Sequence, residues 1–141
     1  MNSEIIASDI LVFRSYGIKK IEYEATPPQL LGGEENTDID IKMDFCKNIE
    51  ILNTTDFKVE LGVKINGVNT KGEKVVFINV CMDGFFSVKS AEQVGSHANI
   101  NSVSILFPYL RTAVSTFTIL SNYGEITLPP MNIIRWFELE K

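Results

Sequence analysis

The stretch Ser104–Ile133, SILFPYLRTAVSTFTILSNYGEITLPPMNI, restricts the fold more than any other part of the chain. Leu106, Leu110, Ala113, Phe117 and Leu120 recur at intervals of three and four, the seam of a helix packed on one side. Phe107 and Val114 widen the stripe, while Arg111, Thr112, Ser115, Thr116 and Ser121 take much of the rest. Asn101 or Ser102 offers a short side-chain oxygen to cap the start. Pro108 lacks an N–H and belongs near the first turn, or else bends the helix. Asn122–Gly124 supplies the stop, with Gly124 free to take positive φ. Pro129-Pro130 then keeps the next segment extended.

Ahead of this helix the apolar period is two, the period of strands. Ile10–Tyr16 is β-branched and aromatic, Gly17 breaks it, and Ile18–Ala25 alternates over its second half. These read as one interrupted strand or two short ones. Thr26–Thr37 is a loop rich in Pro, Gly and polar residues, long enough to cross to a non-adjacent strand position. Leu30 and Leu31 in its middle should pack on something. Gly32-Gly33 is a poor phosphate loop, since no Lys or helix start follows in register. Asp38–Phe45 alternates fully, with Ile39, Ile41, Met43 and Phe45 on one side and charges on the other. Asp38 and Asp40 suggest a hard-metal pair only weakly, because a half-buried strand needs a solvated face.

Cys46–Asp56 reads as a polar link. Phe57–Ile65 alternates again, Asn66–Glu73 has hairpin composition, and Lys74–Val88 returns as a strand with a bulge or break at Asp83-Gly84. Lys89–Asn101 is a polar link. In Asn132–Lys141, Asn132 caps a short amphipathic helix carrying Ile133, Trp136, Phe137 and Glu140. Strands first and helices last give an α+β chain: an antiparallel sheet with helices on one face. A length of 141 residues suits a single domain, 1–141. The apolar stock is generous for one thin layer, which favours an oligomer whose second subunit covers the long helix.

Function classes narrow by exclusion. A formal net charge of −5 opposes nucleic-acid binding through phosphates, which needs clustered Lys and Arg. No segment has the apolar length of a membrane span, and no leader is visible, so the expected address is cytoplasmic. Cys46 and Cys81 then read as reduced thiols, not a disulfide. His97 is the only histidine and falls in the polar link, without a ligand or base partner at useful spacing. No nucleophile elbow or cofactor motif is present, so no cofactor and no metal are expected. An enzyme or small-ligand protein on an α+β scaffold is the minor reading.

LFPYLRTAVSTFT, a short Gly-containing link and ITLPPMNI together resemble the signature of the SecB family of export chaperones. Leu106-Phe107-Pro108-Tyr109, Arg111, Leu128, Pro130 and Asn132 carry the match, and Ile133 stands where the family usually has Phe. The resemblance runs over Ile10–Phe137. It implies four antiparallel strands, a long crossover after the first, a long helix, a short C-terminal helix, and a tetramer with long helices between sheets. On that basis Leu106, Leu110, Ala113, Phe117 and Leu120 would form the oligomer interface.

The resemblance also implies ATP-independent holding of unfolded or precursor polypeptides, in grooves between crossover loop and terminal helix. Leu30, Leu31, Ile133, Trp136 and Phe137 would line that groove. The family's outward sheet face carries carboxylates that dock the export motor SecA. Glu24 keeps one such position, but Lys20 and Asn79 stand where carboxylates are typical, and the sequence ends ELEK without a long acidic tail. SecB-like chaperones also serve toxin–antitoxin pairs, so a dedicated antitoxin partner is the alternative within the class.

Overall fold

The computed structural model describes residues 11–31, 38–89 and 96–139, with the backbone alone at 29, 31, 96 and 97. Four strands make one antiparallel sheet: β1 (Leu11–Ala25), β2 (Asp40–Ile51), β3 (Asp56–Val68) and β4 (Lys74–Val88). Their order is β1-β4-β3-β2, so the connection after β1 crosses the sheet, and among the described residues β1 and β2 are its edges. A helix α1 (Ser96–Thr118) and a short helix α2 (Ile133–Leu139) follow. Ile10, Gly32-Gly33 and Glu140 lie outside the described residues.

The core face is read off the central hairpin. Phe57, Val59, Leu61, Val63 and Ile65 of β3 stand opposite Phe86, Gly84, Met82, Val80 and Ile78 of β4, and all ten are buried. Burying side chains of this kind contributes about 1.5–3 kcal/mol each. The hairpin turn is made by Asn69, whose Oδ1 accepts from the N–H groups of Lys71 (3.0 Å) and Glu73 (2.9 Å). Gly72 takes φ 83° there, in the left-handed region that glycine enters without strain.

β1 corrects the expectation of a break at Gly17. The strand runs through Gly17, and its register shifts instead between Phe13 and Ser15 and between Ile18 and Lys20. Each shift inserts one extra residue, Arg14 and Lys19, and each resets the parity of the side chains. As a result Leu11, Phe13, Tyr16, Ile18, Ile21, Tyr23 and Ala25 all pair with the core-facing row of β4, from Val88 to Val76. The irregularities of the β1–β4 pair therefore lie in β1, and that of the β3–β4 pair between Gly67 and Val68; none falls at Asp83-Gly84. Gly84 has a different role: a Cβ there would stand 2.9 Å from the Phe86 ring and 3.1 Å from a Leu106 methyl. β2 also runs on into the expected link, to Ile51, and the turn is made by Asn53, which accepts from Thr55 and Asp56 N–H at 2.9 Å each.

α1 starts at Ser96, earlier than Asn101 or Ser102, so His97 belongs to its first turn and not to a link. Pro108 lies inside the helix, on an exposed position where the missing N–H leaves a solvent-side carbonyl free. Ser102, Val103, Leu106, Phe107, Leu110, Ala113, Val114 and Thr118 form the buried face. Thr118 closes it: its Oγ1 donates to Val114 O (2.8 Å) and accepts from Ile126 N–H (2.7 Å). Ile126 and Leu128 then enter the core, and Gly124 takes φ 85° in the turn between. The Tyr123 hydroxyl donates to the Thr26 carbonyl, and Thr26 N–H donates to Val75 O (2.7 Å), so the helix exit fastens the start of the crossover.

Candidate functional site

The sheet edge at β2 and the helix α2 build one apolar shelf. The Asn132 side-chain oxygen accepts from Arg135 N–H (3.1 Å), which starts α2. Ile133 points down and is buried in the core. Trp136 and Phe137 are half-buried, packed against the rim of that core. The Trp136 ring meets Phe45 of β2 edge-on at 6.2 Å, and Phe45 meets Phe107 of α1 at 6.0 Å. Lys47 lies above them, its ammonium 4.5 Å from the Trp136 ring centre and 4.6 Å from that of Phe137. Such contacts hold a cation over the ring quadrupole while its stem covers apolar surface. Ile134 and Leu139 on the same helix are exposed.

Phe45 and Lys47 are the site residues that sequence reasoning missed. Their signal was the two-residue period of β2, which continues past Cys46 through Lys47 and Ile49. Of the five residues expected to line a groove, Trp136 and Phe137 stand together on the shelf, whereas Ile133 belongs beneath it. Leu30 lies in a short 3-10 turn, Pro28–Leu31, and is 75% exposed, with Pro28 buried behind it. The Leu31 side chain lies outside the described residues.

The expected oligomer stripe divides in two. Leu106, Leu110 and Ala113 are covered by the chain's own sheet, at 0%, 0% and 8% exposure, so no second subunit reaches them. The packed face continues through Val114 and Thr118, and Thr118, being polar, escapes an apolar count. Phe117 and Leu120 fall off that face and are exposed. On the uncovered side, the Tyr109 ring lies tilted against that of Tyr16 of β1 with ring centres 4.1 Å apart, and Ile18 and Ile105 are exposed.

The outer face of the sheet is charged but balanced. Glu50, Lys58, Glu60 and Lys19 form a ladder across β2, β3 and β1, with Lys58 3.0 Å from both carboxylates and Lys19 3.4 Å from Glu60. Hydrogen bonds to Glu50 and then Glu60 raise the Lys58 pKa, and Lys58 holds the Glu60 carboxyl below its ordinary range. Glu22 is likewise lowered, first by the Asn79 amide at 3.0 Å and then by Lys20 at 3.1 Å. Glu24 is exposed beside this group. At the sheet's end, Arg14 donates to Ser87 Oγ (3.0 Å), which donates to Asp56 (2.6 Å).

No helix among the described residues is long and apolar enough to cross a membrane. Residues 8–141 match the family described as preprotein translocase subunit SecB. The chain is 33% identical to the protein MJ0357 of Methanocaldococcus jannaschii over 87% of its length and 79% of the relative's. It is 26% identical to the protein-export protein SecB of Acinetobacter baylyi, over 85% of this chain and 79% of that one. Its fold matches a Mycobacterium tuberculosis SecB-like chaperone, Rv1957, solved with a ChAD peptide from the HigA1 antitoxin, at TM-score 0.70 and 14% identity. That match covers 89% of this chain and 94% of the other. Four antiparallel strands in the order β1-β4-β3-β2, a long helix and a short terminal one carry the LFPY…LxPxN signature, and the chain belongs to the SecB family.

Proposed function

We propose that the protein is an ATP-independent chaperone that holds unfolded polypeptide along the β2 edge and across the Trp136–Phe137 shelf. The observation that carries this is the juxtaposition of half-exposed aromatics with an edge strand. Among the described residues β2 pairs only with β3, so its outer N–H and C=O groups offer a ladder for one more strand. Main-chain bonds of that kind ignore sequence, and Trp136, Phe137 and Phe45 add apolar contact beside them. Each client side chain buried there contributes on the order of 1.5–3 kcal/mol. Several weak contacts along one chain then act together. Leu30, exposed on the crossover, extends the apolar surface available to a client.

Two further features belong to this reading. The chain assembles as a homo-oligomer, a tetramer, through the uncovered side of α1 and the Tyr16–Ile18 part of β1. SecA is a poor partner, because Glu22 and Glu60 of the outer sheet face are already matched by Lys19, Lys20, Lys58 and Asn79. The mycobacterial neighbour, solved with an antitoxin peptide, favours a second reading in which one antitoxin is the dedicated client.

Fluorescence anisotropy of a labelled unfolded polypeptide tests the site. Trp136→Ala weakens binding about tenfold, a difference of about 1.4 kcal/mol, while Ile133→Ala lowers stability and leaves the affinity of the folded fraction unchanged. Equal affinities for Trp136→Ala and wild type would remove the shelf from the site.

A further inference from the structure

Lys47 interrupts an apolar row. On β2 it is the register partner of Leu61, itself the partner of Met82 on β4, so all three lie on the core-facing side of the sheet. Two places to either side in that row are Phe45 and Ile49, opposite the buried Val63 and Val59. Lys47 is half-buried, and its ammonium stays on the core-facing side, 4.5 Å from the Trp136 ring centre and 4.6 Å from that of Phe137. An inward-pointing charge on an edge strand restricts what can pair there. A strand added to β2 places one of its own side chains directly opposite Lys47, about 4.5–5.5 Å away between Cβ atoms. Its next side chains on the same face then stand opposite Phe45 and Ile49. A second cation, Arg111 of α1, lies 5.3 Å from the centre of the Phe107 ring, which meets Phe45. Arg135 and Glu138 of α2 are exposed and of opposite sign.

We propose that Lys47 sets client specificity: the segment it selects is extended, with Asp or Glu opposite Lys47 and an apolar side chain two positions to each side. This specificity rests on the proposed addition of clients to the β2 edge beside the Trp136–Phe137 shelf. Opposite charges directly across a strand pair are favourable, and like charges are unfavourable. An ammonium has three donors and no acceptor, so a client carboxylate satisfies it and a client lysine does not. The Lys47 stem meanwhile covers apolar surface. Client side chains two positions away fall beside Phe45 and Ile49, where aliphatic or aromatic groups gain by leaving water. Position matters as much as composition. An acidic residue displaced by one place turns to the outer face, where β2 presents Cys46 and Asn48. The client class is therefore apolar–any–acidic–any–apolar, read at the two-residue period of a strand.

Fluorescence anisotropy with three labelled peptides tests this, identical except for Glu, Gln or Lys at the place between two alternate apolar residues, Phe and Val. Wild type binds the Glu peptide about fivefold more tightly than the Lys peptide, with the Gln peptide between them. Moving the Glu by one place returns its affinity to that of the Gln peptide. Lys47→Met removes the differences and Lys47→Glu reverses their order, while added salt narrows the wild-type spread. Where Lys47→Glu does not melt cooperatively, Lys47→Met carries the test. Equal wild-type affinities for the Glu and Lys peptides, or an order that Lys47→Met leaves in place, overturn the specificity alone, provided that Trp136→Ala weakens binding of all three. If Trp136→Ala leaves all three affinities unchanged, the client site itself is misplaced and the specificity falls with it.

Discussion

Leu106 rests on Gly84: a Cβ at residue 84 would meet its two terminal carbons at 3.1 and 3.2 Å. This contact sets how closely the long helix approaches β4, and with it the burial of Leu110 and Val114 farther along. Gly84→Ala overpacks the joint and costs about 1–3 kcal/mol, the usual range for an added methyl in a filled core. Denaturant melts measure it. An unchanged midpoint would mean that the helix sits farther from the sheet than described.

The central hairpin was legible because alternation in Phe57–Ile65 is uninterrupted and β3 is covered on its core face throughout. The family signature likewise marked the helix and the Pro129-Pro130 segment. β1 was only half legible. Arg14 and Lys19 each add a residue and reverse the parity, so a strict period of two fails on a strand that is continuous. The last turn of α1 misled for another reason. Its inward residue is Thr118, whose hydroxyl takes the Ile126 N–H, and the apolar residue beside it, Phe117, faces out. A count of apolar spacing follows Phe117 and goes astray. The shelf was half legible too: Trp136 and Phe137 are conspicuous, but their neighbour Lys47 is polar and became visible only through the length of β2.

Assembly separates the two parts of the helix stripe. In the proposed assembly Phe117 meets a second subunit, so Phe117→Asp should shift the protein toward smaller species, because an unpaired charge is costly to desolvate. Leu110→Ala instead lowers stability by about 2–5 kcal/mol, as for large-to-small core changes. Light scattering and thermal melts on both variants distinguish them. A wild-type chain that is monomeric at micromolar concentration would contradict the assembly.

Acid sensitivity follows from Asp56. The Ser87 hydroxyl first, and the Asn53 amide second, hold its carboxyl below the ordinary aspartate range. A group lowered in the folded state contributes stability that is complete above the unfolded value, about pH 4, and is lost as pH falls through the folded one. Melting temperature followed from pH 6 downward should therefore fall for wild type below about pH 4. Asp56→Asn starts lower and converges on it in acid. Parallel curves would contradict this assignment.

The balanced outer face predicts weak contact with SecA. Charge complementarity raises encounter rate and specificity, and here Glu22 and Glu60 already have cations within 3.4 Å. Calorimetry with SecA from the same cell should show no micromolar complex. Micromolar or tighter binding that Glu24→Lys abolishes would contradict it.

Suppression of aggregation tests the central claim most directly. An unfolded client is diluted from denaturant into buffer without nucleotide, with and without one equivalent of the oligomer, and light scattering is followed. Wild type should keep the client dispersed, and Trp136→Ala should need several-fold more protein for the same effect while remaining assembled. A wild-type protein that leaves the scattering of every tested client unchanged at stoichiometric ratio would contradict the chaperone account.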